Sequence, residues 1–447
     1  MATVVNGLRV GANEVHEALS RHMLVDGFHI VPDLVASHGS RLVDERDGKV
    51  YLDFFSNFGS QALGWNHPGL ADPEFRERLL LAALHKPANS DVYTRLFADF
   101  IETFAHLAVP PSYAGHIFVV EGGALGVENA LKAAFDWKIR KNSSQGVAGE
   151  VGTKVIHFRQ AFHGRTGYTL SLTNTFDARK TALFPKFDWP RISNPKIIFP
   201  LAAHRAEVEE AEAGALVEIV AACERHGADI ACLIIEPIQA EGGDNHFRPE
   251  FLAALRRLAD ERDFLLIFDE VQTGLGITGT MWAWQGLGVE PDLFCFGKKV
   301  QACGFVANER IDEVKDNVFK ISSRINSTWG GNLTDMVRAT RVLEIVAADH
   351  LIDNARQIGA LLLAGLHELA RQFPALVSQV RGRGMMISFD LPDPDVRART
   401  IVAARQQGLL LLPCGPCSIR FRPFLDLSRD DAGAALDLLG RALLSLE

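Results

Sequence analysis

Short hydrophobic runs alternate with longer amphipathic stretches along the middle of this chain. The runs are rich in β-branched and aromatic residues, which predicts buried strands, while the stretches around them predict helices. The predicted strands are residues 116–120, 155–158, 230–235, 264–269 and 293–296, and the predicted helices are residues 75–84, 96–107, 127–137, 207–226 and 251–262. Strands alternating with helices predict an α/β fold with a mostly parallel sheet and helices on both faces.

The two ends of the chain carry a different pattern. Near the start, residues 41–44 and 49–53 alternate like strands around Asp47-Gly48, which is typical of a hairpin. A long helical region, residues 334–373, is expected to break near His350. The elements predicted after it are a strand at 384–391, a helix at 395–406, strands at 409–412 and 419–422, and a helix from Ser428, whose side chain is expected to cap it with Asp431.

These patterns predict three parts of the chain. We expect an N-terminal segment, residues 1–68, that packs with the small domain. A large domain follows at residues 69–332, and a smaller α+β domain at residues 333–447 completes the chain.

Composition excludes several classes of protein. The 447 residues carry a net charge of -9 and no sustained basic run, so a nucleic-acid partner is not expected. No apolar run approaches membrane-spanning length, and residues 1–10 lack the basic and apolar regions of a signal peptide. Six cysteines in a chain of this size favour a reduced, cytoplasmic protein over a disulfide framework.

Two side chains at predicted strand ends suggest a specific chemistry. Asp269 ends the run at 264–269, and Lys298 follows the run at 293–296. Ligands of open α/β sheets bind at the carboxyl ends of the strands. A Lys amine there can condense with the aldehyde of pyridoxal 5'-phosphate, and an Asp can keep the pyridine nitrogen protonated. Taken alone, an Asp after a strand is often only a loop start, and a Lys-Lys pair is usually a solvated surface pair, so these two residues by themselves favour the structural interpretation.

A strand, glycines and a helix start follow one another at residues 116–137. Gly122 and Gly123 separate the predicted strand from the helix, which favours an anion site where backbone N–H groups face a phosphate. A tight turn without a ligand is the alternative. Phe162, after the next strand, is suited to stacking on a flat cofactor, whereas His163 is typical of a residue that only satisfies hydrogen bonds.

Three patterns point elsewhere and fit poorly. Residues 274–279 match the dinucleotide fingerprint by letter, but its first glycine does not directly follow the strand and no acidic residue ends the next strand. The run before Asp269 resembles a magnesium-binding strand of nucleotide hydrolases, yet the chain has no matching phosphate-binding loop. Cys414 and Cys417 form a C-x-x-C pair, but a strand rather than a helix is predicted after it.

Taken together, these stretches resemble the class III pyridoxal-phosphate aminotransferases of fold type I, over nearly the whole chain. The combination is specific although no single piece is. It is carried by residues 42–44, 51–53, 122–124, 162–165, 236–239, 269–274 and 296–298. Within the class, residues 184–191, 240–244 and 326–332 are most similar to the branch that acts on the terminal amino group of L-lysine. Residues 300–304 depart from the glycine-rich segment of the wider class, a feature which that branch shares.

The resemblance implies a role for each matching residue. Lys298 matches the cofactor-binding lysine and Asp269 the partner of the pyridine nitrogen. The other matches with the cofactor are Gly123 and Ala124 in the phosphate loop, Phe162 stacked on the ring, Gln272 at the phenolic oxygen and Thr328 reaching the phosphate of the partner subunit. The matches with the substrates are Arg165 and Arg420 as carboxylate binders, Asn326 as a further substrate contact, and Glu241 as a gate over Arg420, in a loop that Gly242 and Gly243 would allow to move.

The implied reaction moves the terminal amino group of L-lysine to 2-oxoglutarate. Its products are the 6-semialdehyde of L-2-aminoadipate and L-glutamate, and the implied assembly is a homodimer with shared active sites. No metal ion is implied. Transfer from ornithine, 4-aminobutyrate or a diamine is the near alternative. An oxidoreductase that uses Cys414 and Cys417 or a nicotinamide cofactor is the alternative from another class.

Overall fold

The structure is a computed structural model, and it describes residues 10–85 and 91–446. The residues on which the absence of a signal peptide was predicted lie outside the described residues, apart from Val10. None of the helices in the described ranges is both long and apolar enough to cross a membrane.

The strands of the described residues form four sheets. In chain order they are β1 (Arg41–Val43), β2 (Val50–Asp53), β3 (Ile117–Val120), β4 (Lys154–Phe158), β5 (Arg191–Ile192), β6 (Ile230–Ile235), β7 (Ile238–Gln239), β8 (Asn245–His246), β9 (Leu265–Asp269), β10 (Leu293–Phe296), β11 (Cys303–Ala307), β12 (Ser378–Arg383), β13 (Met386–Asp390), β14 (Leu409–Leu410), β15 (Leu412–Cys414) and β16 (Ser418–Phe421).

The helices are α1 (Val15–Ser20), α2 (Ser56–Gly59), α3 (Pro73–Leu84), α4 (Arg95–Leu107), α5 (Gly123–Ser144), α6 (Gly167–Leu172), α7 (Leu201–His226), α8 (Pro249–Glu261), α9 (Ala283–Leu287), α10 (Leu333–Ala348), α11 (Leu351–Gln372), α12 (Pro394–Gln406) and α13 (Arg429–Leu444). The short α2 is a left-handed turn, since its backbone φ angles are positive. Between α10 and α11 the chain breaks at His350, as predicted, with φ of 51°.

The large sheet has seven strands in the order β3-β11-β10-β9-β6-β4-β5. Every strand except β11 runs in the same direction, which confirms the predicted mostly parallel α/β fold. β11 was not predicted, because its central Gly304 and half-exposed first residue weaken the pattern of a buried strand. It lies between β3 and β10 and is antiparallel to both.

Both faces of this sheet are buried. Successive side chains of a strand point to opposite faces, and those of β9 are divided between two hydrophobic clusters. Leu265 and Ile267 pack with the small side chains of α5, whereas Leu266 and Phe268 pack with α7 and α8. The parallel strands therefore have continuous apolar sequences, which explains why they were predictable.

The smaller part of the chain is built on antiparallel strands in the order β12-β13-β16-β15. Ser428 caps α13 by accepting a hydrogen bond from the Asp431 backbone N–H at 3.0 Å, as predicted. The N-terminal hairpin β1–β2 joins this part because β2 pairs in parallel with β14. The division into the three predicted parts, residues 1–68, 69–332 and 333–447, stays a prediction.

The local structure does not favour the oxidoreductase patterns. Residues 274–279 form turns between β9 and α9, and a Cβ on Gly274 would lie 2.5 Å from the Trp282 ring, so that glycine serves packing. Cys414 ends β15 and Cys417 precedes β16, without a helix after them. Burial raises the pKa of Cys414 to about 12, which disfavours the reactive thiolate.

Two helical glycines allow a matched test of the packing between α5 and the sheet. A Cβ on Gly126 would lie 2.8 Å from the Gly304 carbonyl oxygen, whereas a Cβ on Gly214 of α7 would have no neighbour within 4 Å. We expect Gly126→Ala to lower the free energy of unfolding by about 1–3 kcal/mol. We expect Gly214→Ala to raise it by about 0.5–1 kcal/mol, because alanine favours a helix over glycine.

Thermal and urea unfolding of the two variants beside the parent measures both effects. Because the substitution is the same, helix propensity acts equally in both positions. A stabilising effect at both positions would contradict the close approach of α5 to β11.

Candidate active site

Asp269 and Lys298 lie at one edge of the large sheet. Asp269 is the last residue of β9, and its Cα is paired with Cys295 in the neighbouring parallel strand β10. Lys298 is the second residue after the end of β10, with Gly297 between them. The two residues therefore occupy the carboxyl ends of adjacent strands, where α/β proteins bind their ligands.

A buried imidazole holds the Asp269 carboxylate. The Nδ1–H of His163 donates to Asp269 Oδ2 at 2.8 Å, and the side chains are 0% and 5% exposed. The backbone N–H of Val271 donates to Oδ1 at 3.1 Å. Burial lowers the pKa of His163, but the hydrogen bond and charge of Asp269 outweigh burial and raise it above its usual value. The pair therefore fixes the orientation of the Asp269 side chain.

Glu236, after β6, fixes the loop that carries Phe162. Its carboxylate accepts from the backbone N–H groups of Phe162 at 2.8 Å and Ala240 at 3.1 Å. Burial raises the pKa of Glu236 to about 7. Phe162 is only half-buried, so its ring is available to a ligand at this edge of the sheet.

The two neighbouring lysines have different environments. Lys299 is buried and donates to the Gly59 carbonyl oxygen at 2.6 Å. Within the described ranges, the Lys298 amine makes no hydrogen bond. Burial, followed by the charges of Arg420 and Arg422, lowers the pKa of Lys298 to about 8. Lys298 also has a left-handed backbone with φ of 46°, the kind of outlier that clusters at functional sites.

The start of α5 is an uncapped helix N-terminus. Gly122 has φ of 115° and, having no side chain, provides no capping hydrogen bond to the first turn. A Cβ on Gly164, after β4, would lie 2.6 Å from the Ala124 Cβ, so the two loops pack closely here. The N–H groups of the first turn, which include those of Gly123 and Ala124, therefore form a place for an anion.

Gln272 presents a buried acceptor without a partner. Its Oε1 has no hydrogen bond among the described residues. A Cβ on Gly59 would lie 2.9 Å from the same atom, so the left-handed turn α2 passes directly beside it. Buried polar atoms without partners are rare in proteins, and a ligand that donates a hydrogen bond explains this one.

Arg420 is a buried cation on β16. Its Nε and Nη1 have no hydrogen-bond partner among the described residues. Neighbouring Arg422 differs, because it forms a bidentate pair with Asp244 at 2.9 and 2.5 Å. Burial and then the charge of Arg422 lower the pKa of Arg420. A guanidinium in this setting is suited to bind a carboxylate.

The Glu241 carboxylate is bound elsewhere than the resemblance implied. Its Oε1 accepts from Thr175 Oγ1 at 2.8 Å and Lys180 Nζ at 2.5 Å. Across the described ranges, no hydrogen bond joins Glu241 to Arg420, so the expected direct pairing is not present in this structure.

The backbone beside Glu241 is also tightly held, which differs from the expected moving loop. The Gly415 N–H donates to the Glu241 carbonyl oxygen at 2.8 Å. A Cβ on Gly242 would lie 2.1 Å from the Gln160 carbonyl oxygen, and Arg381 donates to the Gly243 carbonyl oxygen at 2.5 Å. These glycines permit close packing rather than a hinge. Movement of Glu241 is therefore left to its side chain.

Three predicted site residues lie on the surface of the chain. Arg165 is exposed beside the Phe162 loop, and Asn326 and Thr328 are exposed in the segment before α10. Asn326 Oδ1 accepts a hydrogen bond from the Ser327 backbone N–H. Neither Asn326 nor Thr328 forms a hydrogen bond with Asp269 or Lys298.

Sequence reasoning missed three contributors to this site. His163 was interpreted as an ordinary hydrogen-bonding residue, and its contact with Asp269 joins strands that are distant in sequence. Glu236 was noted only within a family stretch. Lys180 was not singled out, and no local sequence signal marks it, because its partner Glu241 is 61 residues away.

A lysine, a carboxylate–imidazole pair and an anion-binding helix start at the end of a parallel sheet form a site suited to pyridoxal phosphate. The chain belongs to the class III aminotransferase family, whose profile matches residues 26–443. It is therefore a pyridoxal-phosphate-dependent aminotransferase, which confirms the class, fold type and cofactor that the resemblance implied.

The alignments with several relatives extend over nearly the whole chain. The L-lysine-epsilon aminotransferase of Mycobacterium tuberculosis is 54% identical over an alignment of 449 positions that covers 99% of this chain and 99% of the relative. That of Streptomyces clavuligerus is 49% identical over 97% of this chain and 95% of the relative. A solved structure of the M. tuberculosis lysine aminotransferase in the internal aldimine form has a TM-score of 0.96 at 54% identity, covering 98% of this chain and 100% of the other.

The residues present fit this cofactor. The uncapped start of α5 suits its phosphate, the Asp269 carboxyl group suits its pyridine nitrogen, and the unpartnered Gln272 Oε1 suits its phenolic group. When bound, pyridoxal phosphate supplies the sink for electrons from the substrate carbon.

We predict that Lys298 is the reactive amine and that its pKa governs the reaction. In cofactor-free enzyme, acetylation of Lys298 should reach half its plateau near pH 8, because its pKa is lowered to about 8 from 10.5. Below that pH the amine is protonated and unreactive. Mass spectrometry of peptides labelled over a pH series measures this.

Lys299 is the matched control. Borohydride reduction of the holoenzyme should leave the cofactor covalently attached in Lys299→Ala and unattached in Lys298→Ala. An adduct on Lys299, or labelling of Lys298 with the pH dependence of exposed lysines, would refute the assignment.

Proposed function

We propose that this protein transfers the terminal amino group of L-lysine to 2-oxoglutarate, giving L-2-aminoadipate 6-semialdehyde and L-glutamate. The observation that carries the proposal is the buried guanidinium of Arg420, which has no hydrogen-bond partner among the described residues. The nearby Glu241 is paired with Lys180 instead. Such a cation suits a substrate with a carboxylate beside the reacting carbon, as 2-oxoglutarate has. The names of the full-length relatives support lysine as the donor.

The proposed chemistry uses three residues at the sheet edge. Lys298 binds the cofactor and moves a proton to and from the reacting carbon, for which its pKa of about 8 is suited. Asp269 keeps the cofactor's ring nitrogen protonated. His163 fixes the orientation of the Asp269 carboxylate through their hydrogen bond of 2.8 Å.

Four further residues hold the cofactor in this proposal. Gly123 and Ala124 supply backbone N–H groups to the phosphate, Phe162 stacks on the ring and Gln272 accepts from the phenolic group. The close packing of Gly59 against Gln272 and of Gly164 against Ala124 supports these roles, because it leaves both groups little freedom.

The substrate carboxylates are assigned to two arginines. Lysine enters with its terminal amine first, and exposed Arg165 binds the distant α-carboxylate, with Asn326 as a further contact. 2-Oxoglutarate places a carboxylate on Arg420. Glu241 offsets the charge of Arg420 when lysine reacts and leaves it when 2-oxoglutarate binds, a change between two states driven by differential contacts.

The proposed assembly is a homodimer with shared active sites, in which Thr328 reaches the phosphate of the partner subunit. Thr328 is exposed, and Trp329 beside it is 43% exposed. On α3, Leu80, Leu81 and Leu84 are 61%, 54% and 68% exposed, an apolar strip that a partner surface would cover. All six cysteines are free, which supports a reduced, cytoplasmic setting.

A half-reaction screen tests the donor. The holoenzyme is mixed with lysine, ornithine or 4-aminobutyrate, without an acceptor, and the visible absorption of the cofactor is followed. We expect the rate of the half-reaction with lysine to be at least about tenfold higher than with ornithine. The reason is that a substrate with one methylene too few loses about that much in specificity at a site fitted to the longer one. Equal or faster reaction of ornithine or 4-aminobutyrate would contradict the proposed donor, and 2-oxoglutarate should restore the original absorption.

Mixed dimers test the shared site. Lys298→Ala and Thr328→Ala subunits carrying different tags are coexpressed and the heterodimer is purified. If Thr328 serves the partner's site, one site in the heterodimer has both residues intact, and about half of the parent activity at limiting cofactor should return.

If Thr328 serves its own subunit, each site of the heterodimer lacks one of the two residues. The heterodimer would then be no more active at limiting cofactor than the Thr328→Ala homodimer. A monomeric parent enzyme in analytical ultracentrifugation would also contradict the proposed assembly.

A further inference from the structure

Lys180 forms an ion pair with the glutamate that is assigned to the gate. Its Nζ lies 2.5 Å from Glu241 Oε1, and the two side chains are 33% and 20% exposed. Thr175 donates to the same oxygen at 2.8 Å, while Glu241 Oε2 is buried without a partner. The carboxylate is therefore held from one side only and keeps one oxygen available.

The local structure directs Lys180 toward Glu241. Asp177 caps a short 3-10 turn, Ala178–Lys180, by accepting from the Arg179 backbone N–H at 3.2 Å. The Arg179 side chain pairs with Asp177 and is 90% exposed. The two adjacent cations of this turn thus have separate carboxylate partners: Arg179 pairs with Asp177, and Lys180 pairs with Glu241.

Glu241 has a second cation within electrostatic range. The guanidinium of Arg420 is buried with two unpartnered nitrogens, and the negative charge of Glu241 partly offsets the effect of burial on it. The backbone of Glu241 is fixed by Gly415 and by the close packing of Gly242. Only its side chain could therefore move between the two cations.

We infer that Lys180 is a specificity-determining residue that competes with Arg420 for the Glu241 carboxylate. Its ammonium keeps Glu241 off Arg420, so Arg420 stays available to a substrate with a carboxylate next to its reacting carbon. This inference rests on the proposed function. Lys180 acts through Glu241 and does not itself contact the substrate.

Binding of glutarate, an unreactive dicarboxylate, to the holoenzyme tests the inference by calorimetry. In Lys180→Met, Glu241 loses its competing cation and turns to Arg420. The dissociation constant of glutarate should therefore rise by about fivefold to thirtyfold, the usual scale of coupling between two sites. The KM for lysine should stay unchanged or fall, because Arg420 is then masked.

A double-mutant cycle separates competition from other roles. In a Glu241→Gln background there is no carboxylate to release, so adding Lys180→Met should leave the glutarate affinity unchanged. An equal loss of affinity in both backgrounds would overturn the inference, because Lys180 would then bind the ligand or support the fold directly. No loss in the single variant would overturn it as well.

Three further variants serve as controls. Arg179→Met removes the neighbouring charge and should leave glutarate binding unchanged. Lys180→Arg keeps the cation and should retain parent affinity. Thr175→Val removes the other hydrogen bond to Glu241 Oε1 and should also raise the dissociation constant of glutarate. This variant preserves the test if Lys180→Met folds poorly.

Different measurements would refute the proposed function and the inference about Lys180. A parent enzyme that does not transfer the amino group of lysine refutes the proposed donor, whatever the glutarate cycle shows. A cycle without coupling refutes the role of Lys180 while the donor stands. A parent enzyme that does not bind glutarate refutes the inference, because Arg420 is then not the carboxylate site.

Discussion

The buried hydrogen bond between His163 and Asp269 is the interaction on which the site depends. The two side chains are only 0% and 5% exposed, and the imidazole Nδ1 lies 2.8 Å from the Asp269 carboxylate. This contact fixes the orientation of the carboxylate at the end of β9. Because both groups lie outside water, their attraction is little screened, and the site holds a negative charge where a protonated ring nitrogen needs one.

Close backbone packing arranges the rest of the site around that charge. Gly59, Gly164 and Gly242 each stand where a Cβ would meet another loop, so segments from distant parts of the chain approach within van der Waals distance. For function, this means that the backbone around the site is rigid, while charged side chains that it carries can still move. In the proposed function, Glu241 has a fixed backbone and a side chain that alternates between Lys180 and Arg420, so that one site accepts two substrates of different shape.

Much of the fold was predictable from the sequence. Strands β6, β9 and β10 are buried on both faces and have continuous apolar sequences, and α13 has its cap in Ser428. β11 and β12 were missed. Gly304 and the polar residues of β12 weaken the local pattern, and these strands are formed through partners distant in sequence. The pairing of β2 with β14 likewise leaves no pattern in the local sequence from which it could be predicted.

For the site, the sequence by itself determined the residue types: a lysine and an aspartate after apolar runs, glycines before a helix and an arginine on a strand. These follow from local order and the chemistry that each side chain can perform. Only the tertiary structure decided the pairings, such as His163 with Asp269 and Lys180 with Glu241, and it separated Glu241 from Arg420. Those choices depend on distances between residues far apart in the chain, because folding brings together charges whose separation no local pattern encodes.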